Sequence, residues 1–371
     1  MVPRPEDTKA VSVTPLSTRD QQQQQVAGEQ SMNYWDTQEE HQLQEVATTV
    51  DHLKNLLVQE KSHYAPCMDY LAVISSNQSG SAVSSGGDRV NEAWRRKLCE
   101  WCFEVVDHFG MEREVVSVAM NYLDRIVAKT LQVHGQDHHI AKREFQLVAV
   151  ASLYIAVKLH GETDDIHMDR RRLNVDVFVE LSRGFFNAEK IEAMELSILF
   201  NLDWHLNPPT PLKFIASMMR LIPTWPATCE MGYPQADFQR VYKAIFDISM
   251  FLTELSVCLS TFTFHSKNSI VAYASILCAM EALEDALPLP YETRVQFVNQ
   301  VAAATGLLPE SDQVRCVRNL LKELCPAIEE RDVASLIMMG GEEEDDGGKA
   351  SPICVSYATA NNDLIYKHHY Y

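Results

Sequence analysis

Apolar residues recur along most of this chain at intervals of three and four, the spacing that places them on one side of an α-helix. One such stripe lies within residues 38–60, and another follows Asp88 or Asn91, either of which can cap a helix. Their members are Leu43, Val46, Val50, Leu53 and Leu57 in the first, and Trp94, Leu98, Trp101 and Val105 in the second. The pattern predicts two amphipathic helices.

The same pattern predicts nine further helices. They cover residues 112–129, 142–159, 171–182, 188–201, 211–221, 236–260, 266–284, 291–303 and 310–327. The helices at 142–159 and 266–284 are apolar nearly all round, so each is expected at the buried centre of a bundle. Because almost no stretch alternates apolar and polar residues with the period of a strand, an all-α fold is predicted.

Composition divides the chain into five segments. Pro208-Pro209-Thr210-Pro211 stops a helix and is the clearest domain boundary, because proline lacks the amide donor and disfavours helix before it. Polar or acidic low-complexity stretches are expected to be disordered. The expected segments are a disordered tail (1–37), an N-terminal helix and linker (38–87), a first helical domain (88–207), a second (208–330) and an acidic disordered tail (331–371).

The net charge of the chain disfavours some classes of binding partner. A formal net charge of −19 argues against nucleic acid or a membrane as the main partner, because both attract basic surfaces. The nine cysteines have no disulfide or zinc spacing. No nucleophile–base set, phosphate-binding glycine loop or metal-ligand set is found, so we expect no cofactor, no metal and no catalytic activity.

Four segments, in order and at helix-length spacings, carry a resemblance to a known family. They are Trp94–Trp101, Asn121–Arg125 (NYLDR), Phe145–Lys158 and Met194–Trp204. With the proline linker they resemble the cyclins, and the last of them looks most like D-type and plant-type cyclins. The resemblance covers roughly residues 40–330. It implies two tandem five-helix domains with an N-terminal helix before them.

Two charged pairs gain roles from this resemblance. Lys158 and Glu195 match the charges with which cyclins hold the mobile C-helix of a kinase; the alternative is a pair of solvated charges. Arg95 and Asp124 match a structural ion pair between successive helices; the alternative is that Arg95 binds a phosphate. The residues after Lys158, Leu-His-Gly-Glu at 159–162, depart from the apolar residue and two glutamates common in cyclins.

A third set matches the patch by which cyclins hold Arg-x-Leu peptides of substrates or inhibitors. It comprises Trp94, Leu98, Trp101, Glu104 and Gln146. Trp94 replaces the usual methionine. Apolar residues at helical spacing are also typical of a helix side that packs into the core. Both interpretations, a peptide-binding patch and a core-facing stripe, therefore stay open.

The resemblance implies a non-catalytic subunit that binds and activates a cyclin-dependent serine/threonine protein kinase as a heterodimer. A cell-cycle role of the G1/S type, in nucleus and cytoplasm, is favoured. The alternatives are a transcriptional cyclin, a DNA-binding factor with the cyclin fold and a scaffold without kinase activation. Thr14 and Ser351, each followed by proline, are candidate phosphorylation sites in the tails.

Overall fold

Asparagine residues cap the N-termini of three helices in the first half of the chain. Asn91, Asn174 and Asn187 have extended backbones, and each side chain accepts a hydrogen bond from the backbone N–H three residues later. Such a bond satisfies one of the amide donors that the first turn of a helix leaves free. Asn91, rather than Asp88, is therefore the cap of the tryptophan-bearing helix.

The structure is a computed structural model and describes residues 41, 43–76, 89–135, 138–161, 174–223, 234–332 and 335–336. The chain divides into two units, Met1–Thr48 and Thr49–Tyr371. In the first unit, residues 43–48 are helical.

Apart from one isolated bridge between Arg89 and Ala141 and a 3-10 turn at Pro326–Ile328, the regular elements of the described residues are α-helices. We name residues 49–62 α1. The others are α2 (Tyr70–Ser76), α3 (Glu92–His108), α4 (Glu114–His134), α5 (Lys142–His160), α6 (Val175–Leu181), α7 (Ala188–Asn201), α8 (Pro211–Met219), α9 (Gln235–Cys258), α10 (Ser260–His265), α11 (Asn268–Ala282), α12 (Tyr291–Thr305) and α13 (Asp312–Leu324). The predicted all-α fold is confirmed.

The predicted helices agree with these bounds to within a few residues, and the sequence pattern missed only short ones. α2 and α10 have seven and six residues, too few for an apolar stripe to repeat. α4 continues five residues beyond its predicted end at residue 129, to His134. Residues 171–173, at the start of the helix predicted at 171–182, and most of the predicted linker lie outside the described residues.

Each half of the chain packs around one helix that is buried nearly all round, as the sequence predicts. In the first half α5 is surrounded by α3, α4, α6 and α7. In the second half α11 contacts α8, α9 and α13. Alanine and serine recur in both central helices, for example Ala151 and Ala274, and small side chains let neighbouring helices approach closely.

The two halves meet around the buried side chain of Arg95. It is 0% exposed and donates two hydrogen bonds to Asp124, from Nε to Oδ1 (2.9 Å) and from Nη2 to Oδ2 (2.7 Å). Its other donors cross to the second half, to the carbonyls of Val257 (3.1 Å) and Cys258 (3.3 Å) and to the Thr263 hydroxyl (3.2 Å). Burial alone would lower the pKa of Arg95, but the carboxylate raises it, so the charge is kept.

The N-terminal helices are tied to the same junction. The Tyr70 hydroxyl in α2 donates to Asp124 Oδ1 (2.8 Å). In α1, the Glu60 carboxylate accepts hydrogen bonds from the Ser269 backbone N–H (2.8 Å) and hydroxyl (2.6 Å) at the start of α11. Lys267, which precedes α11, supplies no side-chain cap. Glu60 therefore performs for α11 the task that a neighbouring cap residue performs for α3.

We predict that Asp124→Ala destabilises the fold by about 3–5 kcal/mol, because it leaves the Arg95 charge buried without its carboxylate. Urea unfolding followed by circular dichroism measures the change. Asp51→Ala is the matched control, since its side chain is 76% exposed and pairs with Lys54 across one turn of α1. Equal stability of the two variants would contradict the role given to Arg95 and Asp124.

Glu60 gives a pH-dependent prediction. Burial raises its pKa, with the Ser269 hydrogen bonds opposing, so above about pH 4.5 the native state binds more protons than the unfolded chain. Its contribution to stability therefore falls as the pH rises through the interval between the unfolded and folded pKa values. Glu60→Gln cannot titrate. The stability difference, wild type minus Glu60→Gln, should thus decline from about pH 4 upward and then level off. Parallel urea midpoints for both proteins at every pH would contradict this prediction.

Candidate functional site: a charged pair on an apolar face

Lys158 and Glu195 lie on different helices and form an ion pair at the surface. Lys158 is in the last turn of α5, Glu195 is in the middle of α7, and Nζ lies 2.6 Å from Oε1. The lysine side chain is 44% exposed and the glutamate side chain 13% exposed. The hydrogen bond to Glu195 raises the pKa of Lys158, and the ammonium also lies 4.7 Å from the centre of the Tyr154 ring. The structure thus presents a positioned, partly accessible ammonium.

Large apolar side chains on the two helices that carry this pair, and on the turn after α7, face solvent. Leu159 and Leu196 each follow one member of the pair in sequence, and both are more than half exposed. Phe200 and Trp204 continue from Leu196 at four-residue steps, and their exposed rings lie 6.1 Å apart, edge to face. We call these six residues, Lys158, Leu159, Glu195, Leu196, Phe200 and Trp204, the α5–α7 face. Several large apolar side chains left exposed on neighbouring helices of a folded domain indicate an interaction site.

The sequence predicts the charged pair in this face but not its apolar members. The four-residue step from Leu196 to Phe200 to Trp204 was a detectable signal. Ile198 and Leu199, on the same helix, are buried, so α7 carries apolar residues on both its inner and outer sides. Because the spacing alone does not say which side the neighbouring helices cover, the exposed stripe became visible only in the folded chain.

The departure after Lys158 has a structural explanation. At Gly161, where α5 ends, a Cβ atom would lie 2.6 Å from the Val157 carbonyl oxygen, so a larger residue would force the backbone to move. His160 turns towards the segment after α7, with Nε2 3.0 Å from the Leu206 carbonyl oxygen. The unusual His-Gly pair therefore ends α5 and links it to the chain leaving α7.

Three of the five residues predicted for the peptide-binding patch line an open groove of about 660 Å³. They are Trp101 and Glu104 on α3 and Gln146 on α5. The other side of the groove comes from the end of α6 and the following turn, including Glu180 and Phe185. The groove combines aromatic surface with two carboxylates and the guanidinium of Arg183, so it offers both apolar and charged contacts to a peptide.

The other two predicted patch residues do not line this groove. Leu98 is 6% exposed, so its side chain belongs to the core. Trp94 is partly covered, and the Lys142 ammonium lies 5.3 Å from the centre of its ring. The stripe of Trp94, Leu98 and Trp101 is therefore divided, because neighbouring helices cover its middle residue and leave Trp101 at the rim.

The structure describes some of the remaining residues for which the sequence predicts a role, and not others. Thr14 and Ser351 lie outside the described residues. Among the residues that the structure describes, no group of three His, Cys, Asp or Glu side chains is arranged to hold a metal ion. In the same residues, no helix combines the length and apolarity needed to span a bilayer. Arg95 has no exposed surface, which disfavours the alternative that it binds a phosphate.

Comparison with known families identifies the first half of the chain. Residues 51–207, which include α3 to α7 and both members of the surface ion pair, match the family described as "Cyclin, N-terminal domain". This domain, residues 51–207, belongs to the cyclin family.

Its relatives include several classes of cyclin. Cyclin-D3-2 of Arabidopsis thaliana is 27% identical over 202 residues, which are 54% of this chain and 48% of the relative. Cyclin-D3-3 of the same plant is 32% identical over 34% of this chain and 32% of the relative. G1/S-specific cyclin-E of Caenorhabditis elegans is 24% identical over 57% of this chain and 39% of its own length. The matched part thus spans less than half the length of each of these cyclins.

Two solved structures are also similar, at low TM-scores. A viral cyclin from herpesvirus saimiri has a TM-score of 0.46 and 14% identity, covering 76% of this chain and 98% of the viral one. A chain of the CAK complex of Chaetomium thermophilum bound to ATP-γ-S has a TM-score of 0.42 and 12% identity, covering 87% and 93%. The family assignment rests on the matched domain and the sequence relatives.

The groove gives a binding prediction. A peptide with an Arg-x-Leu core should bind the wild-type cyclin, and Trp101→Ala should weaken that binding by about tenfold, because the aromatic wall of the groove is lost. Fluorescence anisotropy of a labelled peptide measures both affinities. Tyr291→Ala, which removes an exposed aromatic side chain from the second half, should leave the affinity unchanged. Equal, negligible binding to wild type and Trp101→Ala would exclude the groove as a docking site.

Proposed function

We propose that this cyclin binds and activates a cyclin-dependent serine/threonine protein kinase through the α5–α7 face. The observation that carries the proposal is the accessible Lys158–Glu195 pair, set among exposed apolar side chains on two helices of the cyclin domain. Membership of the family supports a regulatory, non-catalytic role. Catalysis then belongs to the kinase, and the cyclin supplies a binding surface.

The chemistry of the pair suits capture of a movable backbone segment. An ammonium has three donors, and Glu195 accepts from one of them. The exposed part of the ammonium can donate to backbone carbonyls at the end of a partner helix, where the helix dipole places negative charge. Glu195 holds the lysine side chain in place, so less conformational freedom is lost on binding.

The apolar members of the face supply the remaining binding energy. A kinase is active when a glutamate of its C-helix pairs with its catalytic-site lysine and its activation loop is withdrawn. To move a kinase from about 1:99 to 99:1 in favour of that state, the cyclin must prefer it by roughly 5.5 kcal/mol. Burial of Leu196, Phe200 and Trp204 against the C-helix in its active position would contribute to this preference, because apolar surface that is covered only in the active state favours that state.

Finer parts of the proposal follow from the relatives and the groove. We place the activity in the cell cycle, of the G1/S type, because D-type and E-type cyclins are among the relatives. The groove at Trp101 would select substrates or inhibitors that carry Arg-x-Leu peptides. Action in the nucleus and cytoplasm is part of the same proposal. The alternatives are a transcriptional cyclin and a scaffold that does not activate a kinase.

The test exchanges the charges of the pair. In Lys158→Glu combined with Glu195→Lys, the ion pair is kept but its polarity towards a partner is reversed. We expect the melting temperature to stay near that of wild type, because the ion pair is kept. We expect kinase capture to be lost, because placing the wrong charges at a buried interface costs about 2–5 kcal/mol of binding free energy. Affinity purification with identification of the bound kinase, followed by a phosphorylation assay, measures both effects.

The control exchanges another surface pair, Lys243→Asp with Asp247→Lys on α9, whose members lie 2.8 Å apart. This variant should capture and activate the kinase as wild type does. Kinase capture by the Lys158/Glu195 exchange variant at wild-type strength would remove the α5–α7 face from the proposal. Capture without stimulated phosphorylation by wild type would favour the scaffold alternative.

A further inference from the structure

The chain leaving α7 adopts an unusual backbone at the edge of the α5–α7 face. Asp203 and Trp204 both have positive φ angles, 51° and 59°. Residues other than glycine rarely adopt this left-handed backbone conformation, and two such residues in succession strain the backbone. Trp204 is one of the exposed aromatic residues of the face. The strained turn therefore sets where this ring points.

One side of α4 holds the strained turn in place. Tyr122, Arg125 and Lys129 are separated by steps of three and four residues, so they lie on the same side of the helix. Their contacts follow the order of the turn. Lys129 donates to the Asn201 carbonyl and lies 3.2 Å from the Asp203 carboxylate, Arg125 donates to the His205 carbonyl at 2.9 Å, and Tyr122 donates to the Leu206 carbonyl.

Two other elements complete the contacts to this turn. His160, at the end of α5, lies 3.0 Å from the Leu206 carbonyl, and Tyr64 accepts a hydrogen bond from the Asn207 N–H at 3.1 Å. Arg125 in turn lies over the Tyr64 ring, 4.8 Å from its centre. Strain of this kind persists only where the surroundings fix the backbone from several sides. The turn meets that condition.

The three α4 residues differ in how closely folding depends on them. Tyr122 is 0% exposed, and Arg125 is partly buried, so both also hold the core together. The Lys129 side chain is 38% exposed and contacts the turn at its start. A cation at the carboxyl end of α7 also satisfies the carbonyl that the last turn of the helix leaves free. Lys129 is thus the member that can be altered without emptying the core.

We infer that Lys129 is a positioning residue for kinase binding: it fixes the left-handed turn after α7 and thereby orients the exposed Trp204 ring of the α5–α7 face. Lys129 itself makes no contact with the kinase in this inference; it acts through the turn. The inference rests on the proposed function, because the face that it orders is the proposed kinase-binding face.

The experiment compares Lys129→Met, which keeps the length of the side chain and loses its donors, with Lys129→Arg, which restores a cationic donor. Purified cyclin-dependent kinases of the source organism, free of their own cyclins, are titrated against each variant. We expect Lys129→Met to bind about fivefold more weakly, the factor that corresponds to about 1 kcal/mol, and Lys129→Arg to recover most of the affinity. Lys243→Met is the control, an exposed lysine with an ion-pair partner in the second half.

Two further readouts separate positioning from a general structural role. Hydrogen exchange of the amides at 201–206 should accelerate in Lys129→Met, while exchange in α11 should not change. On a Trp204→Ala background, Lys129→Met should cause no additional loss of affinity, because the ring through which it acts is already absent.

The outcomes distinguish the inference from the proposed function. If wild type binds a kinase and Lys129→Met binds it equally well, or if the losses from Lys129→Met and Trp204→Ala simply add, the inference is wrong and the proposed function stands. If wild type binds none of the kinases, the proposed function is wrong and the inference falls with it. Weaker binding that Lys129→Arg rescues, together with the non-additive double variant, supports the inference.

Discussion

The buried guanidinium of Arg95 is the constraint on which the arrangement of the helices depends. A charge that is removed from water must have its donors satisfied, and this one draws its partners from α4, α9 and α10. The Asp124 carboxylate that balances it also accepts from Tyr70. The position of one side chain therefore fixes how the first bundle meets the second and where α2 lies against both. Displacing any of these elements would leave a buried polar group without a partner.

The α5–α7 face differs from the Arg95 site because its charged and apolar groups are left partly or largely exposed. Its charged pair is only partly covered, and its leucine and aromatic side chains remain in water, where they contribute little to folding. The two helices that carry the face are nevertheless rigid, because α5 is surrounded by four others. A rigid scaffold with an uncovered apolar surface is suited to binding, since little order has to be acquired when a partner arrives. The buried polar groups around Arg95 have hydrogen-bond partners, whereas the apolar side chains of the α5–α7 face are exposed. This difference supports the proposed role in kinase activation.

The two halves also cooperate in building that face. The turn after α7 leads directly into the proline segment and α8, and it is held by α4, by the end of α5 and by Tyr64. The N-terminal helix that precedes Tyr64 is attached to α11 through Glu60. The second half is therefore linked to the face through α1 and the proline segment, although the ion pair itself lies wholly in the first half.

The sequence by itself determined the long helices and the two central elements, because these depend on hydrophobic spacing along one segment of the chain. It also marked Lys158, Glu195, Arg95 and Asp124, through resemblance to the cyclins. Only the tertiary structure decided which apolar residues are covered: Leu98 is inside, whereas Phe200 and Trp204 are outside. It alone joined Glu60 to Ser269, 209 residues away. The physical reason is that a helix has several sides, and only the neighbours packed against it determine which of them meets water.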